Sequence, residues 1–260
     1  MTTLTLANLS IARGKQRLCS PLNLTIAPGD FWGILGPNGC GKSTLLQTLC
    51  GQLPPAQGQL LLNGQALHTI NTRAIAQQMG ILFQDTHFTF PQTIRDYCAD
   101  ARFPHQPLLR RHSHEPAQVL QALAALRLTT LADKNIQHLS GGEQRRAAIA
   151  ALLVQAPAIY LLDEPANHLD VPHQMLVMRL LRAISQDQAV VMSLHDINLA
   201  ARYCNKILLF LPDGGTLHGS STDLLTSEHL SRVYQYPIDA ISDSDQTYWQ
   251  PRHEPLPHLS

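Results

Sequence analysis

The sequence predicts an α/β fold in which a mixed, mainly parallel sheet is flanked by helices, with an antiparallel β subdomain and a helical insert. Three observations support this prediction. The apolar run 31–35 enters a glycine-rich loop that continues into helix-like sequence. Two later apolar runs, 158–162 and 189–194, each stop at charged or histidine side chains, which is typical of buried parallel strands that deliver functional groups. Between residues 85 and 158 strand-like runs disappear and helical spacing takes over.

The glycine-rich loop spans Gly36 to Thr44 and has the spacing of a phosphate-binding loop, with four residues between its first glycine and Gly-Lys-Ser. Its glycines let the backbone turn tightly and bring N–H groups close to phosphate oxygens at a helix start. Lys42 would then reach the β- and γ-phosphates, and the Ser43 hydroxyl would bind Mg²⁺. The alternative, a turn that binds nothing, leaves this spacing and the strand-to-helix setting unexplained. The loop therefore predicts a P-loop NTPase core.

Charge and hydropathy argue against a nucleic-acid-binding protein and against a membrane-spanning one. Lys and Arg number 19, as do Asp and Glu, so no surplus positive charge favours a nucleic-acid partner. The N-terminus alternates polar and apolar residues without a basic region, and no apolar run approaches the roughly 20 residues that span a bilayer. Five cysteines, odd in number and unclustered, indicate reduced thiols. We expect a cytosolic chain.

The opening of the chain is mainly β. Residues 22–26 alternate cleanly, and the turn at 28–30 leads to the strand before the phosphate loop. After the loop helix, residues 58–64 predict a strand that runs into an Asn-Gly turn. Residues 80–84 predict a short apolar strand that ends on Gln84.

The helical insert follows, at about residues 85–158. Apolar positions between residues 115 and 127 have amphipathic helical spacing. Ahead of a second helical stretch, Ser140 is a helix N-cap candidate and Glu143 lies three residues on, so a capping box explains both without any function. It leaves the adjacent Gly141 and Gly142 unexplained, and small residues at a helix start let an anion approach bare N–H groups.

Two predicted strand ends carry catalytic chemistry. Asp163 is placed to hold Mg²⁺, commonly through water, and Glu164 to polarise an attacking water. An exposed turn before Pro165 is the alternative for these two acids. A lone histidine is usually structural, but His195 ends a third parallel strand, so we expect it to contact the γ-phosphate. A last strand and a short helical tail follow. Residues 240–260 carry little core-forming signal, and we expect them to be partly disordered.

Taken in order, these segments resemble the ATP-binding subunit of an ABC transporter. The match comprises the phosphate loop, the glutamine loop at Gln84, the Leu-Ser-Gly-Gly-Glu signature at 139–143, the acidic strand 159–164, the loop 167–170 and His195. The resemblance covers residues 1–235. It implies an ABC ATP-binding domain at 1–238 with a helical subdomain at about 85–158, and an unassigned tail at 239–260.

The resemblance also implies a role for each motif residue. ATP would be the substrate and Mg²⁺ the cofactor. Catalysis would involve Glu164, His195, Gln84 and Lys42. Mg²⁺ would be held by Ser43, Gln84 and Asp163. ATP contacts from the same chain would come from Gly36, Pro37, Asn38, Gly39, Cys40, Gly41, Lys42, Ser43, Thr44 and Arg13. Ser140, Gly141, Gly142 and Glu143 would contact ATP held by a second subunit, and Asp170 would lie in a dimer loop.

Four positions, 13, 166, 167 and 168, depart from the family pattern. Arg13 stands where an aromatic residue often stacks on adenine, although a guanidinium can also stack on a base. Ala166 replaces a commoner Thr, and residues 167–168 replace a frequent Ser-Ala. Both of these changes lie beside the dimer loop and leave Asp170 in place.

Further segments narrow the resemblance to importers of iron-siderophore, haem and cobalamin chelates. These are residues 84–87, 93–96, 102–105, 195–204 and 233–236. Such a subunit would form a head-to-tail homodimer on the cytoplasmic face of the membrane, bound to a separate permease. An extracytoplasmic binding protein would supply the chelate to that permease, and no nucleic acid would take part. The alternative is a soluble ABC ATPase that remodels a ribosomal or nucleic-acid complex. That class usually has two cassettes or a long coiled-coil or basic insert, and neither is visible here.

Overall fold

The computed structural model describes residues 1–14, 16–85, 88–106, 117–243 and 247–253. Its strands are β1 (Leu4–Ser10), β2 (Ala12–Arg13), β3 (Gln16–Arg17), β4 (Leu22–Ile26), β5 (Phe31–Leu35), β6 (Gln57–Leu62), β7 (Gln65–Ala66), β8 (Met79–Leu82), β9 (Ile159–Asp163), β10 (Ala189–Ser193), β11 (Lys206–Phe210), β12 (Thr216–Ser220), β13 (Ile238–Ser242) and β14 (Thr247–Pro251). Its helices are α1 (Lys42–Leu49), α2 (Thr72–Gln78), α3 (Ile94–Asp100), α4 (Ala117–Ala125), α5 (Gly141–Gln155), α6 (Val171–Ile184), α7 (Ile197–Tyr203), α8 (Ser221–Leu224) and α9 (Ser227–Tyr234).

The central sheet has six strands in the order β12-β11-β5-β10-β9-β8. Five of them are parallel and β12 is antiparallel to β11, which confirms the predicted mixed, mainly parallel sheet. Every residue of β5, β9 and β10 is buried, as expected of strands covered on both faces. Because these three neighbours are parallel, their carboxyl ends lie at one edge of the sheet, where the chain continues into the predicted site residues.

A second sheet, in the order β4-β1-β6-β7, forms the antiparallel β subdomain. Its leucines and isoleucines alternate inward and share a core with the apolar face of α1. Asn63 and Gly64 both have positive φ, 53° and 80°, as a two-residue hairpin turn of type I′ requires. The predicted Asn-Gly turn is therefore confirmed.

The helical insert lies between β8 and β9. In the part of it that the structure describes, α3 and α4 pack on α5 and no strand occurs. The middle of α5 is buried almost all round, from Arg145 to Leu152, so this helix forms the centre of the insert. The predicted amphipathic helix corresponds to α4, which begins at Ala117 in the described residues. Glu115 lies outside the described residues.

The C-terminal segment forms structure that the sequence did not predict. Strands β13 and β14 pair antiparallel as a hairpin, so the expectation of disorder is wrong for these two strands. The Asn198 side chain of α7 holds the hairpin, because its amide donates to the Trp249 carbonyl at 3.1 Å and its oxygen accepts from the Trp249 N–H at 2.9 Å. This docking is a long-range contact, and most of the hairpin's side chains are exposed, so the local sequence carries little core-forming signal.

Candidate active site

A cleft of about 340 Å³ opens at the carboxyl ends of the parallel strands. It brings together residues from the β2–β3 ribbon, the phosphate loop, the segment after β8, and the ends of β9 and β10. The lining residues are Arg13, Leu18, Asn38, Gly39, Gly41, Lys42, Ser43, Thr44, Gln84, Glu164 and His195. Most of the predicted ATP-contacting residues and all four predicted catalytic residues therefore line one cavity.

The phosphate loop has the geometry of an anion cradle. Gly39 and Gly41 adopt φ of 78° and 116°, which L-residues rarely adopt. A Cβ on Gly39 would meet nothing within 4 Å, whereas one on Gly41 would lie 3.1 Å from the side chains of Ile11 and Leu18. The loop is thus open at Gly39 and closely packed at Gly41, and α1 begins at its end, where free N–H groups favour phosphate.

Lys42 lies against this loop and is only 6% exposed. Its ammonium donates to the carbonyl of Gly36 at 2.8 Å and to that of Pro37 at 3.1 Å. These bonds keep the positive charge at the floor of the cleft, beside the position that the loop provides for phosphate oxygens.

Three side chains of the site contact the Glu164 carboxylate. The residue is 6% exposed, and its carboxylate accepts hydrogen bonds from the Gln84 amide at 3.2 Å and from the Asn167 amide, while pairing with Nε2 of His195. The sequence identified Gln84, Glu164 and His195 separately, and the structure brings them together. It assigns Asn167, which was noted only as a departure from the family pattern, to the same network.

Asp163 precedes Glu164 at the end of β9 and is 4% exposed. Its Oδ1 accepts from the Ser193 hydroxyl at 2.5 Å, and that hydroxyl in turn accepts from the Glu164 N–H at 2.9 Å. Ser193 is fully buried and was missed as a site residue. The available signal was its position, because it is the last residue of β10 and that strand's one polar side chain.

Arg145 in the second turn of α5 was also missed. It is 7% exposed, and its guanidinium donates to backbone carbonyls of Phe83, Gln84, Asp163 and Glu164. Burial lowers the pKa of this guanidinium, and the carboxylates of Asp163 and Glu164 partly offset that effect. The side chain thus joins the helical insert to the two acidic residues at the end of β9.

The signature residues do not line the cleft. Ser140 caps α5 in the predicted capping box: its N–H and its hydroxyl both donate to the Glu143 carboxylate at 2.8 Å. The Ser140 N–H holds the pKa of Glu143 below its usual value. A Cβ on Gly142 would lie 3.1 Å from the carbonyl of His168, whereas one on Gly141 would meet nothing within 4 Å. Gly142 therefore permits close packing on the loop after β9, and Gly141 leaves its backbone open on the surface.

Asp170 likewise lies outside the cleft and has a local role in this chain. It is the N-cap of α6, where its carboxylate accepts from the His173 N–H at 3.0 Å and contacts Nδ1 of His173 at 2.6 Å. The backbone bond from His173 lowers the pKa of Asp170.

The residues proposed for Mg²⁺ fit its chemistry, since this hard cation prefers oxygen ligands. Ser43 offers a hydroxyl on the cleft wall. Gln84 donates to Glu164 through its nitrogen, which leaves its amide oxygen available. Asp163 supplies a carboxylate behind the wall, at a position suited to contact through water.

The ABC transporter family model matches residues 19–167, more than half of the 260-residue chain. The chain therefore belongs to the ABC transporter family, and it is an ABC-type ATPase. It is 36% identical over 238 residues to the ferric enterobactin transport ATP-binding protein FepC of Escherichia coli (strain K12), covering 90% of this chain and 88% of FepC. It is also 36% identical over 254 residues to the hemin import ATP-binding protein HmuV of Bordetella parapertussis, covering 92% and 95%.

Solved structures agree with this assignment. The fold superposes with a TM-score of 0.83 on a chain of an ABC transporter described as metal-chelate type, in an inward-facing conformation, at 29% identity. The alignment covers 98% of this chain and 99% of that one. The match confirms the predicted fold class. In the part of the chain that the structure describes, no helix is both long and apolar enough to span a bilayer.

Proposed function

We propose that this chain is the ATP-hydrolysing subunit that powers import of a metal chelate, of the iron-siderophore, haem or cobalamin type, through a separate membrane permease. The observation that carries the proposal is that relatives named as transport or import ATP-binding proteins align with 90% and 92% of the chain. A soluble ATPase that remodels ribosomal or nucleic-acid complexes is not favoured by these relatives.

The arrangement of the site supports a head-to-tail homodimer. The cleft holds the residues that would bind the phosphates, whereas Ser140, Gly141 and Gly142 lie elsewhere on the surface of the same chain. A second copy, related by a two-fold axis, would bring its signature to each cleft and complete two sites at one interface. Asp170 and the 68%-exposed Val171 lie at the start of α6, beside the loop that packs on Gly142, and would belong to this interface.

Within one completed site the chemistry divides among the cleft residues. Lys42 and the phosphate-loop N–H groups would bind the β- and γ-phosphates, and Glu164 would accept a proton from the attacking water. His195 and Gln84 would orient that carboxylate and the γ-phosphate. Mg²⁺ held by Ser43, Gln84 and Asp163 would neutralise phosphate charge. Loss of the γ-phosphate would remove the contacts to the partner's signature and open the dimer.

The permease would bind beside the glutamine loop. A cavity of about 440 Å³ lies between β8, α3 and α5, and its lining includes Phe83, Tyr97 and Leu152. The Phe90 and Phe103 side chains are 76% and 66% exposed in the adjoining segments, which is typical of a protein interaction surface. The chain would thereby lie at the cytoplasmic face of the membrane, and an extracytoplasmic binding protein would supply the chelate.

The hydrolytic role is tested by Glu164→Gln, which keeps the shape of the side chain and removes the proton acceptor. We expect the Kd for ATP to stay within about twofold and turnover to fall about 10²–10⁴-fold, the usual contribution of a general base. ATP should then trap a dimer, detectable by size-exclusion chromatography with light scattering. Hydrolysis at the wild-type rate would exclude Glu164 from this role.

The dimeric site is tested by Ser140→Arg, which places a bulky cation where the partner's nucleotide would lie. Turnover should be abolished while ATP binding to the monomer changes little. Ser220→Arg is the matched control, because Ser220 caps α8 with a 3.2 Å bond from the Asp223 N–H and lies outside the signature. If Ser140→Arg retains the wild-type rate, the signature does not act in the partner's site.

The transport role is tested by tagging the subunit, extracting native membranes in mild detergent and identifying co-purifying chains by mass spectrometry. A many-helix membrane subunit in stoichiometric amount is the expected result, and its binding protein would then give a direct substrate assay. Recovery only from the soluble fraction, with ribosomal or DNA-associated proteins, would contradict import and leave the ATPase assignment intact.

A further inference from the structure

The side chain of Arg145 connects three parts of the molecule. It starts from the second turn of α5, two residues after the signature, and is 7% exposed. Its Nη1 donates to the carbonyls of Phe83 and Gln84, and its Nη2 donates to those of Asp163 and Glu164, the last at 2.8 Å. The four acceptors lie on two segments about 80 residues apart in the chain, so one guanidinium joins the glutamine loop, the acidic strand end and the helical insert.

A guanidinium is suited to this role. Its planar fork presents donors in fixed directions, so the two nitrogen atoms can hold two pairs of carbonyls at a constant separation. Hydrogen bonds from a charged donor are also stronger than those from a neutral one. A lysine ammonium in the same place would be a compact point charge that cannot reach both segments in this geometry.

The backbone that Arg145 holds is the backbone of the catalytic network. Glu164 adopts φ of 50°, a left-handed conformation that a non-glycine residue keeps only when its surroundings fix it. Its N–H is held by Ser193 and its carbonyl by Arg145. The Gln84 amide that binds the Glu164 carboxylate follows a carbonyl held by the same guanidinium. Arg145 thus fixes the backbone on both sides of the Gln84–Glu164 hydrogen bond.

We propose that Arg145 is a positioning residue for hydrolysis: it holds Glu164 and the glutamine loop in their catalytic arrangement and transmits movement of the helical insert to both. This inference rests on the proposed role of Glu164 as general base. It does not depend on import, because the arrangement lies within one chain.

Arg146 provides a matched control. It is the next residue of α5 and is also 7% exposed. Its Nη1 donates to the carbonyls of Leu126 at 2.8 Å and Arg127 at 3.2 Å, both in the helical insert. In both arginines the Nε atom is buried without an acceptor in the part of the chain described. The two side chains therefore match in exposure and charge. They differ in what they connect, because Arg145 donates from both Nη atoms to four carbonyls and Arg146 donates from Nη1 to two.

The first experiment compares steady-state ATP hydrolysis by purified wild type, Arg145→Gln, Arg145→Lys and Arg146→Gln, with the Tm of each. We expect both Arg145 variants to lose at least tenfold in kcat, with KM and the Kd for ATP within twofold, because Arg145 does not line the cleft. Arg146→Gln should lose a similar amount of Tm and keep kcat within twofold. If the Arg145 variants keep wild-type kcat, or if Arg146→Gln loses as much, the positioning role is wrong.

A second measurement is independent of turnover and of any failure of the proposed function. Hydrogen–deuterium exchange of the same proteins without nucleotide should show faster exchange at both 83–85 and 163–167 in Arg145→Gln. In Arg146→Gln the increase should be confined to residues near 126–128. The inference would be overturned if exchange rose uniformly over α5 in both variants, with no additional rise at 83–85 and 163–167. This would hold even if Glu164 proved to be the base and the chain an import subunit.

Discussion

Replacing Ser193 with alanine tests whether the end of β10 holds Asp163 and Glu164, the two acids proposed for the site, in place. The hydroxyl donates to the Asp163 carboxylate at 2.5 Å and accepts from the Glu164 N–H at 2.9 Å, in a fully buried position. Ser193→Ala removes both contacts and adds no bulk. The variant should therefore be less stable, and its Glu164 should be less well positioned.

The expected loss can be worked from these two bonds. A hydrogen bond to a charged group contributes about 1.5–3 kcal/mol, and a buried N–H left without an acceptor costs about 1–3 kcal/mol. Since the two bonds share one atom, we take only the lower end of each range, which gives a loss of about 2.5 kcal/mol in the free energy of unfolding. For a chain of this size that corresponds to a fall in Tm of roughly 5–10 °C. Stability of about 5–15 kcal/mol is usual, so the variant should still fold.

Urea unfolding and steady-state kinetics measure the two effects. We expect kcat to fall about tenfold or more, because displacement of a catalytic group by about 1 Å is costly, while KM for ATP stays unchanged since Ser193 does not line the cleft. Ser185→Ala is the control: Ser185 is equally buried and donates to the Arg182 carbonyl at 2.8 Å, so it should lose about 1 kcal/mol and no activity. If Ser193→Ala loses no more stability than Ser185→Ala and keeps full kcat, the bridging role is refuted.

Three further outcomes are expected. Glu143→Gln should be less stable than wild type at neutral pH; because the folded-state pKa of Glu143 is depressed, that difference should begin to shrink in urea melts near the usual value of 4.5 and be lost as the pH falls through the folded-state pKa. Arg13→Ala should weaken ATP binding about fivefold, near the 1 kcal/mol of a stacked guanidinium, with kcat unchanged in steady-state assays; an unchanged Kd would exclude adenine contact. Asn198→Ala should speed hydrogen exchange in β13 and β14 alone, since it removes both bonds to Trp249; unchanged exchange would show that the hairpin does not depend on them.

The elements that could be predicted are those whose cause is local. The phosphate loop, the buried strands and the Ser140 capping box each depend on residues within about ten positions of one another, so spacing alone identifies them. The parallel sheet follows from strands that alternate with helices, and it explains why Glu164 and His195 were expected at one edge.

The residues that were missed act through contacts between distant segments. Arg145 reads as an ordinary helix residue because its four acceptors are backbone carbonyls, which have no sequence signature. Ser193 reads as one polar residue at the end of an apolar strand, and its partners belong to another strand. In the hairpin of β13 and β14, Trp249 is bonded to Asn198 of α7, about 50 residues away in the chain, and Ile238 is bonded to Ser231 of α9. None of these contacts leaves a periodic pattern.

The path of the chain connects the helical insert to Glu164 at the end of β9. Helix α5 ends at Gln155, the chain turns at Ala156 with φ of 51°, and β9 begins at Ile159. Helix α5 and strand β9 thus run in opposite directions and are connected by the chain at one end. Near the other end, the second turn of α5 is bonded to the end of β9 by the guanidinium of Arg145. Rotation of the insert must therefore either carry Glu164 with it or break those bonds.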